Sequence, residues 1–155
     1  MALRTIIKTG DDRLRKKSRP VTEFNERFSI LLDDMYETMQ KSEGVGLAAP
    51  QVGILRRAVV IDIGEGLVEL VNPVITQRSG DQYGSEGCLS VPGEYGMVHR
   101  PQKVSVQAQD RNGKTIKLDA EGYLAVAVCH ELDHLDGVLF IDLADHMLTP
   151  EELSE

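Results

Sequence analysis

The segment that most constrains this chain is His130-Glu131-Leu132-Asp133-His134, which lies in an apolar, helix-favouring stretch. Residues four apart share one face of an α-helix, so the imidazoles of His130 and His134 can bind the same metal ion. Glu131 follows the first histidine and is then placed to exchange a proton with a water that the metal polarises. The spacing therefore requires a helix here and predicts a catalytic metal site on it.

The chain has 155 residues, a formal charge of −8 and 41% hydrophobic residues, which suits one globular domain over residues 1–155. The acidic balance argues against a general binder of phosphate backbones, and we find no nucleic-acid motif. We also find no leader-like segment and no apolar run near membrane-spanning length, so we expect a cytoplasmic protein without a membrane partner. In that compartment the two cysteines, Cys88 and Cys129, are predicted to be thiols.

Hydrophobic periodicity predicts two long helices. Apolar residues recur at helical spacing from Phe24 to Met39, which indicates an amphipathic helix near the N-terminus. A second helix is predicted from about Glu121 to Leu135, ended by Gly137, and it carries the two histidines. Strand-like runs cover residues 57–63, 67–71, 74–76, 104–108 and 115–118. We therefore predict an α+β fold, with mainly antiparallel sheets packed around a long metal-binding helix.

A catalytic metal usually keeps three protein ligands and one open position, so a third ligand must lie elsewhere in the chain. Cys88 is the best candidate, because neighbouring glycines let the backbone approach a site and a thiolate is a strong ligand. The alternative is that Cys88 is a small buried hydrophobic residue. Cys129 directly precedes His130 and points about a quarter turn away, so it is interpreted as packing or pocket wall. His99, in a predicted loop, and His146, near the tail, have no comparable spacing.

Three segments, in order along the chain, resemble peptide deformylase, the metalloenzyme that removes the formyl group from new bacterial proteins. They are Gly-Val-Gly-Leu-Ala-Ala-Pro-Gln at 44–51, Glu-Gly-Cys-Leu-Ser at 86–90 and the histidine motif at 130–134. The likeness extends from the first helix to about Leu143, and the absence of an insertion between the first two segments is similar to the compact bacterial type. Cys129 stands where many members carry glutamine. The short acidic tail stands where some relatives carry a basic helix thought to dock on the ribosome.

The resemblance implies a divalent ion held by Cys88, His130 and His134. Iron(II) is the expected metal, while zinc, nickel and cobalt also suit a thiolate with two imidazoles. Asp133 is predicted to orient a ligand or a neighbouring arginine, with Arg100 as its partner.

The resemblance also implies the groups that act on the substrate. Glu131 would accept a proton from water, and the Gln51 side-chain amide and the Leu89 backbone N–H would stabilise the oxyanion. Taken without the family pattern, Gln51 is instead an exposed polar residue of a turn.

The expected substrates are nascent peptides that begin with N-formyl-Met, and the ribosome near the exit tunnel is a further expected partner. The substrate backbone is predicted to pair as an added strand with Gly46 and with the segment after Cys88. The residues implied for the methionine pocket are Val45, Val126, Ala127 and Cys129. Ordinary core packing is the alternative role for these pocket residues.

Two other functions remain open from the residues alone. A zincin-type peptidase would take its third ligand downstream of the histidine motif, where Glu151, Glu152 and Glu155 lie. A non-catalytic protein could keep the fold and only bind N-terminal peptides, but the candidate reacting groups are all present in this sequence.

Overall fold

In the computed structural model, which describes residues 2–154, a five-stranded sheet lies between two helices. The helices are α1 (Glu26–Lys41), α2 (Tyr123–Leu135), α3 (Phe140–Leu143) and α4 (Pro150–Leu153). The strands are β1 (Gly46–Ala48), β2 (Ala58–Ile61), β3 (Val68–Ser79), β4 (Gln82–Cys88), β5 (Val91–Arg100), β6 (Lys103–Gln109), β7 (Thr115–Glu121) and β8 (His146–Met147). The larger sheet has the order β1-β2-β3-β6-β7 and the smaller one β4-β5-β8. All pairings between these strands are antiparallel, so the predicted α+β fold with antiparallel sheets is confirmed.

Strand β2 shows why the larger sheet is covered on both faces. Val59 and Ile61 pack in the cluster that contains α2, whereas Ala58 and Val60 pack in the cluster that contains α1. All four side chains are 0% exposed. A strand buried on both faces needs apolar residues at every position, which is the composition of this segment.

Helix α2 brings the histidine motif into the interior. It begins after Gly122, whose φ of 63° turns the chain out of β7. It ends at Leu135, two residues before Gly137, which has a φ of 75°. The side chains of Ala125, Val128 and Leu135 are fully buried against the larger sheet. Because the helix is covered by the sheet, the two histidines are presented from a rigid element.

The strand predictions need two corrections. The runs at 67–71 and 74–76 belong to one strand, β3, which continues through a bulge at Asn72 and Pro73. Asn72 takes a positive φ of 51°, and a bulge accommodates a proline that cannot donate to the ladder.

The second correction concerns the β4–β5 hairpin, which was not predicted as strands. Five glycines between residues 80 and 96 interrupt the alternation of apolar and polar residues by which strands are recognised. His99 was predicted in a loop, but it lies within β5 and pairs across the hairpin with Tyr83.

No helix in the described part of the chain has the length and apolar character needed to cross a membrane.

Candidate metal centre and active site

Cys88, His130 and His134 come together although 42 residues separate the cysteine from the first histidine. Their candidate ligand atoms all lie within 4.8 Å of one another, and the Cys88 Sγ atom is 3.3 Å from the His134 Nε2 atom. The cysteine reaches the histidines because it ends β4, while both histidines project from α2. Among residues 2–154, these three form the one such group of possible metal ligands.

One distance within this group is compatible with a tetrahedral ion. Bonds of about 2.0–2.3 Å to nitrogen and sulfur place the ligand atoms of such an ion roughly 3.3–3.6 Å apart. The Cys88–His134 separation of 3.3 Å is in that range. A thiolate and two imidazoles are ligands for zinc, iron, nickel and cobalt, and three ligands leave a fourth position open.

Glu131 lies beside the metal ligands and is almost completely buried, with 4% of its surface exposed. Its Oε1 atom has no hydrogen-bond partner among the described residues. Burial raises the pKa of Glu131 to about 7. A carboxyl group with a pKa near neutrality both accepts and returns a proton readily.

Gly46 makes room for the Glu131 carboxylate. A Cβ atom at Gly46 would lie 2.5 Å from the Glu131 Oε2 atom and 2.8 Å from its Cδ atom. The glycine of β1 is therefore needed for this close approach, in addition to its predicted role beside the substrate.

A buried ion-pair network supports His130. Its central residue is Glu86, to which the sequence analysis assigns no role. The Glu86 carboxylate lies 2.9 Å from the His130 Nδ1 atom and accepts two hydrogen bonds from Arg100, each of 2.8 Å. Burial alone would raise the pKa of Glu86, but the hydrogen bonds from Arg100 and His130 lower it to about 2. Glu86 is therefore a carboxylate that orients His130 and leaves the Nε2 atom to bind a metal.

The predicted pairing of Asp133 with Arg100 is confirmed by a hydrogen bond of 2.7 Å. Arg100 is 5% exposed. Because it pairs with both carboxylates, it joins Asp133 on α2 to Glu86 on β4. Glu86 lies two residues before Cys88, so its closeness to the candidate site could be seen in the sequence. Its contact with His130 could not, because the two residues are 44 positions apart.

Gln51 is buried rather than exposed on a turn, with only 1% of its surface accessible. Its Oε1 atom accepts a hydrogen bond of 2.9 Å from the Ala48 N–H. Its Nε2 atom donates to the Ser90 Oγ atom at 3.1 Å and lies 3.6 Å from the Cys88 Sγ atom. The amide N–H groups of Gln51 are therefore oriented towards the metal ligands.

A cavity of about 420 Å³ lies at the candidate site. The predicted site residues that line it are Val45, Gly46, Gln51, Cys88, Leu89, Val126, Ala127, His130 and Glu131. Tyr95 and Tyr123 also line it and were not predicted. The Tyr95 ring lies over Gly87, where a Cβ atom would be 2.5 Å from the ring. Isolated exposed tyrosines give no sequence signal of this kind. Tyr95 reaches the cavity from the β4–β5 hairpin, whereas Tyr123 reaches it from the first turn of α2.

Cys129 does not line the cavity, in contrast to the prediction that it forms part of the methionine pocket. It is 5% exposed and packs in the core cluster between α2 and the larger sheet. The physical reason is its helical position, since Ala127, His130 and Glu131 share one face of α2 and Cys129 lies about 100° outside that face. Burial raises the pKa of the Cys129 thiol, which is consistent with a neutral packing residue.

The two other histidines lie on the surface away from the metal ligands. His99 is within 3.1 Å of Asp81, and the His146 Nε2 atom is 2.9 Å from Glu152. Glu152 is therefore engaged near the tail rather than near His130, and the downstream carboxylates among the described residues do not form part of the candidate metal group.

One thiol and two imidazoles that could hold a metal ion, beside a buried glutamate in an α+β fold, are typical of a metallohydrolase. Comparison with known proteins identifies the family. The family model for polypeptide deformylase matches residues 3–149, so the chain belongs to the polypeptide deformylase family. A peptide deformylase of Caldicellulosiruptor bescii is 58% identical over 155 residues, covering 100% of this chain and 93% of that protein. One from Caldanaerobacter subterraneus is 58% identical over 153 residues, covering 99% and 96%.

Solved structures show the same relationship. The crystal structure of peptide deformylase from Thermotoga maritima has a TM-score of 0.91 and 41% identity, covering 92% of this chain and 98% of that one. A peptide deformylase from Legionella pneumophila has a TM-score of 0.89 and 44% identity, covering 97% and 88%.

Proposed function

We propose that Cys88, His130 and His134 hold the catalytic ion of this enzyme and that the native ion is iron(II). As a member of the polypeptide deformylase family, the chain hydrolyses the formyl amide at the N-terminus of nascent peptides, releasing formate and a free N-terminal methionine. The observation that carries the residue assignment is the convergence of one thiol and two imidazoles beside the buried Glu131 carboxyl group.

Glu131 acts as the proton carrier in this proposal. The bound ion would supply Lewis-acid polarisation of the attacking water and of the formyl carbonyl. Glu131 accepts the proton that the water loses and returns it to the departing amine. Its pKa of about 7 and its free Oε1 atom support both transfers.

Gln51 and Leu89 stabilise the negative charge that develops on the formyl oxygen. The Gln51 Nε2 group is held near the Cys88 Sγ atom by its bond to Ser90, and the Leu89 backbone follows Cys88 directly. Donors that are already oriented need no rearrangement as the charge forms.

The peptide substrate binds in the 420 Å³ cavity beside β1. Strand β1 is at the edge of the larger sheet, so an extended peptide can add to it at Gly46. Val45, Val126 and Ala127 supply the apolar wall for the methionine side chain, and Cys129 contributes only through packing behind that wall.

A formate-release assay tests the activity directly. The metal-loaded, reduced protein should release formate from formyl-Met peptides and leave the matching acetyl-Met peptides intact. A protein that binds formyl-Met peptides without turnover would instead be a non-catalytic binder. Cleavage of internal peptide bonds would indicate a zincin-type peptidase.

The Cys88→Ser variant tests the ligand set, with Cys129→Ala as the matched control. We expect Cys88→Ser to lose bound metal and activity, because the hydroxyl group is a much poorer ligand than a thiolate. Cys129→Ala should keep its metal. Full activity of Cys88→Ser would exclude the thiolate site and favour a downstream ligand.

Metal exchange tests the identity of the ion. Protein prepared without oxygen and loaded with iron(II) or nickel should be more active than the zinc-loaded form, and elemental analysis of anaerobically purified protein should find iron. Equal rates with all three metals would contradict the proposal.

We further propose that residues 1–155 act as one catalytic domain in the cytoplasm, on chains emerging from the ribosome near the exit tunnel. The activity of the family on nascent peptides supports the ribosome as a partner. The crystal structures of the Synechococcus elongatus and Ehrlichia chaffeensis enzymes are complexes with actinonin, and we propose that actinonin also binds this chain in competition with formyl-Met peptides.

A further inference from the structure

The basic residues of this chain are concentrated in one part of the sequence. Seven of its 17 lysines and arginines lie in the first 20 residues, together with only two of its 25 acidic residues. The formal charge of −8 therefore conceals a strongly basic N-terminal segment on an otherwise acidic protein. A phosphate-bearing partner interacts with such a local patch rather than with the net charge.

Arg4 of this segment lines a groove of about 440 Å³, which shares no lining residue with the cavity at the candidate metal ligands. Arg4, Arg27 and Arg56 line the groove, and Glu23 is the one carboxylate in its lining. Arg19 lies beside Arg56, because the two residues form a parallel β-bridge. We call the surface formed by Arg19, Arg27 and Arg56 the arginine groove.

The charges of the arginine groove are available to a ligand. Arg19, Arg27 and Arg56 are exposed, and within residues 2–154 none of them forms an ion pair. Arg100, by contrast, is buried and paired with two carboxylates. Arg4 is bound to Asp34 and contributes less free charge.

We infer that the arginine groove binds the phosphate backbone of RNA. Guanidinium groups match phosphate oxygens in a bidentate manner, and several of them along a surface can follow a phosphodiester chain. Of the apolar residues of the groove, Val21, Phe28 and Leu31 are only 6–7% exposed, and Ile54 is partly buried. They offer neither an aromatic face for base stacking nor an anchor for a lipid surface. Binding therefore depends on phosphates, tolerates any sequence and weakens steeply with salt.

Fluorescence anisotropy with a labelled single-stranded RNA of about 20 nucleotides tests this inference, using the metal-loaded protein at about 50 mM salt and above. The test variant combines Arg19→Gln, Arg27→Gln and Arg56→Gln. The matched control combines Arg78→Gln, Lys114→Gln and Lys117→Gln, which removes the same charge from other exposed positions without ion pairs among the described residues. Both variants should release formate at the parental rate, so that RNA binding and deformylation are separated.

We expect the arginine-groove variant to bind RNA at least about tenfold more weakly than the parent and to reduce the salt slope by about 2, whereas the control changes affinity by less than about twofold. Equal loss in both variants would overturn the inference, because net charge alone would then explain binding. Absence of measurable binding by the parent at about 50 mM salt would overturn it as well. Competition by polyglutamate or by anionic vesicles as effective as competition by RNA would also overturn it.

Discussion

The Nδ1 atom of His130 lies 2.9 Å from the Glu86 carboxylate, and two hydrogen bonds from Arg100 hold that carboxylate in place. Glu86 comes from β4, two residues before Cys88, so the same strand that provides the thiol also orients a histidine on α2. The pairing of β4 with β5 is irregular between Glu86 and Cys88, since two residues of β4 span five residues of β5 there.

Replacing Glu86 should weaken metal binding, although it leaves Cys88, His130 and His134 unchanged. The Glu86→Gln variant loses the negative charge that orients His130, and we expect about 10–100-fold lower metal affinity, measured by competition with a chelator. Glu65→Gln, which changes an exposed glutamate in a loop, is the control and should bind metal as the parent does. Unchanged affinity in Glu86→Gln would show that the contact is only structural.

Acid should remove the stabilising contribution of Glu86. Its pKa is about 2 in the folded protein, below its ordinary value of 4.5, so the contribution is complete above about pH 4.5 and is lost as the pH falls towards about 2. The shift corresponds to roughly 3 kcal/mol in the free energy of unfolding. We expect urea titrations of the metal-free parent to show this loss and those of Glu86→Gln to show a much smaller one. Parallel pH profiles for the two proteins would rule out this role.

Gln51→Ala should reduce catalysis while the metal remains bound. The loss of one oxyanion donor is expected to lower kcat by about 10²–10³-fold. The variant also leaves the buried Ala48 N–H without its 2.9 Å partner, which should cost about 1–3 kcal/mol of stability in thermal unfolding. Ser90→Ala removes a neighbour of the amide but keeps the donor, so its kcat should fall far less. A metal-loaded Gln51→Ala enzyme with kcat within tenfold of the parent would contradict the assignment.

Gly46→Ala should displace Glu131, the proposed proton carrier. The added methyl group would meet the Glu131 Oε2 atom at 2.5 Å, and moving this buried carboxyl group should lower kcat by at least about 10²-fold. Crowding of this kind typically costs about 1–3 kcal/mol of stability. Gly84→Ala is the matched control, since nothing lies within 4 Å of a Cβ atom there. Comparable activity of the two variants, measured by formate release, would disprove the steric argument.

Local sequence patterns were sufficient where the structure depends on neighbouring residues. The spacing of His130 and His134 required a helix with both side chains on one face, and α2 provides it from Tyr123 to Leu135. The alternating runs at 104–108 and 115–118 gave the β6–β7 hairpin, because alternation reflects burial of one face.

Long-range contacts decided the rest of the site. Glu86 reaches His130 only because the β4–β5 hairpin folds against α2. The glycines of this hairpin interrupt the apolar–polar alternation by which its strands could have been predicted. Cys129 was placed in the pocket by its proximity in sequence, yet helical rotation turns it into the core. The sequence by itself thus determined the helix, the candidate metal ligands and the family. The tertiary structure alone decided which carboxylate orients the first histidine and which side chains line the cavity, since these depend on distances between segments that no local pattern encodes.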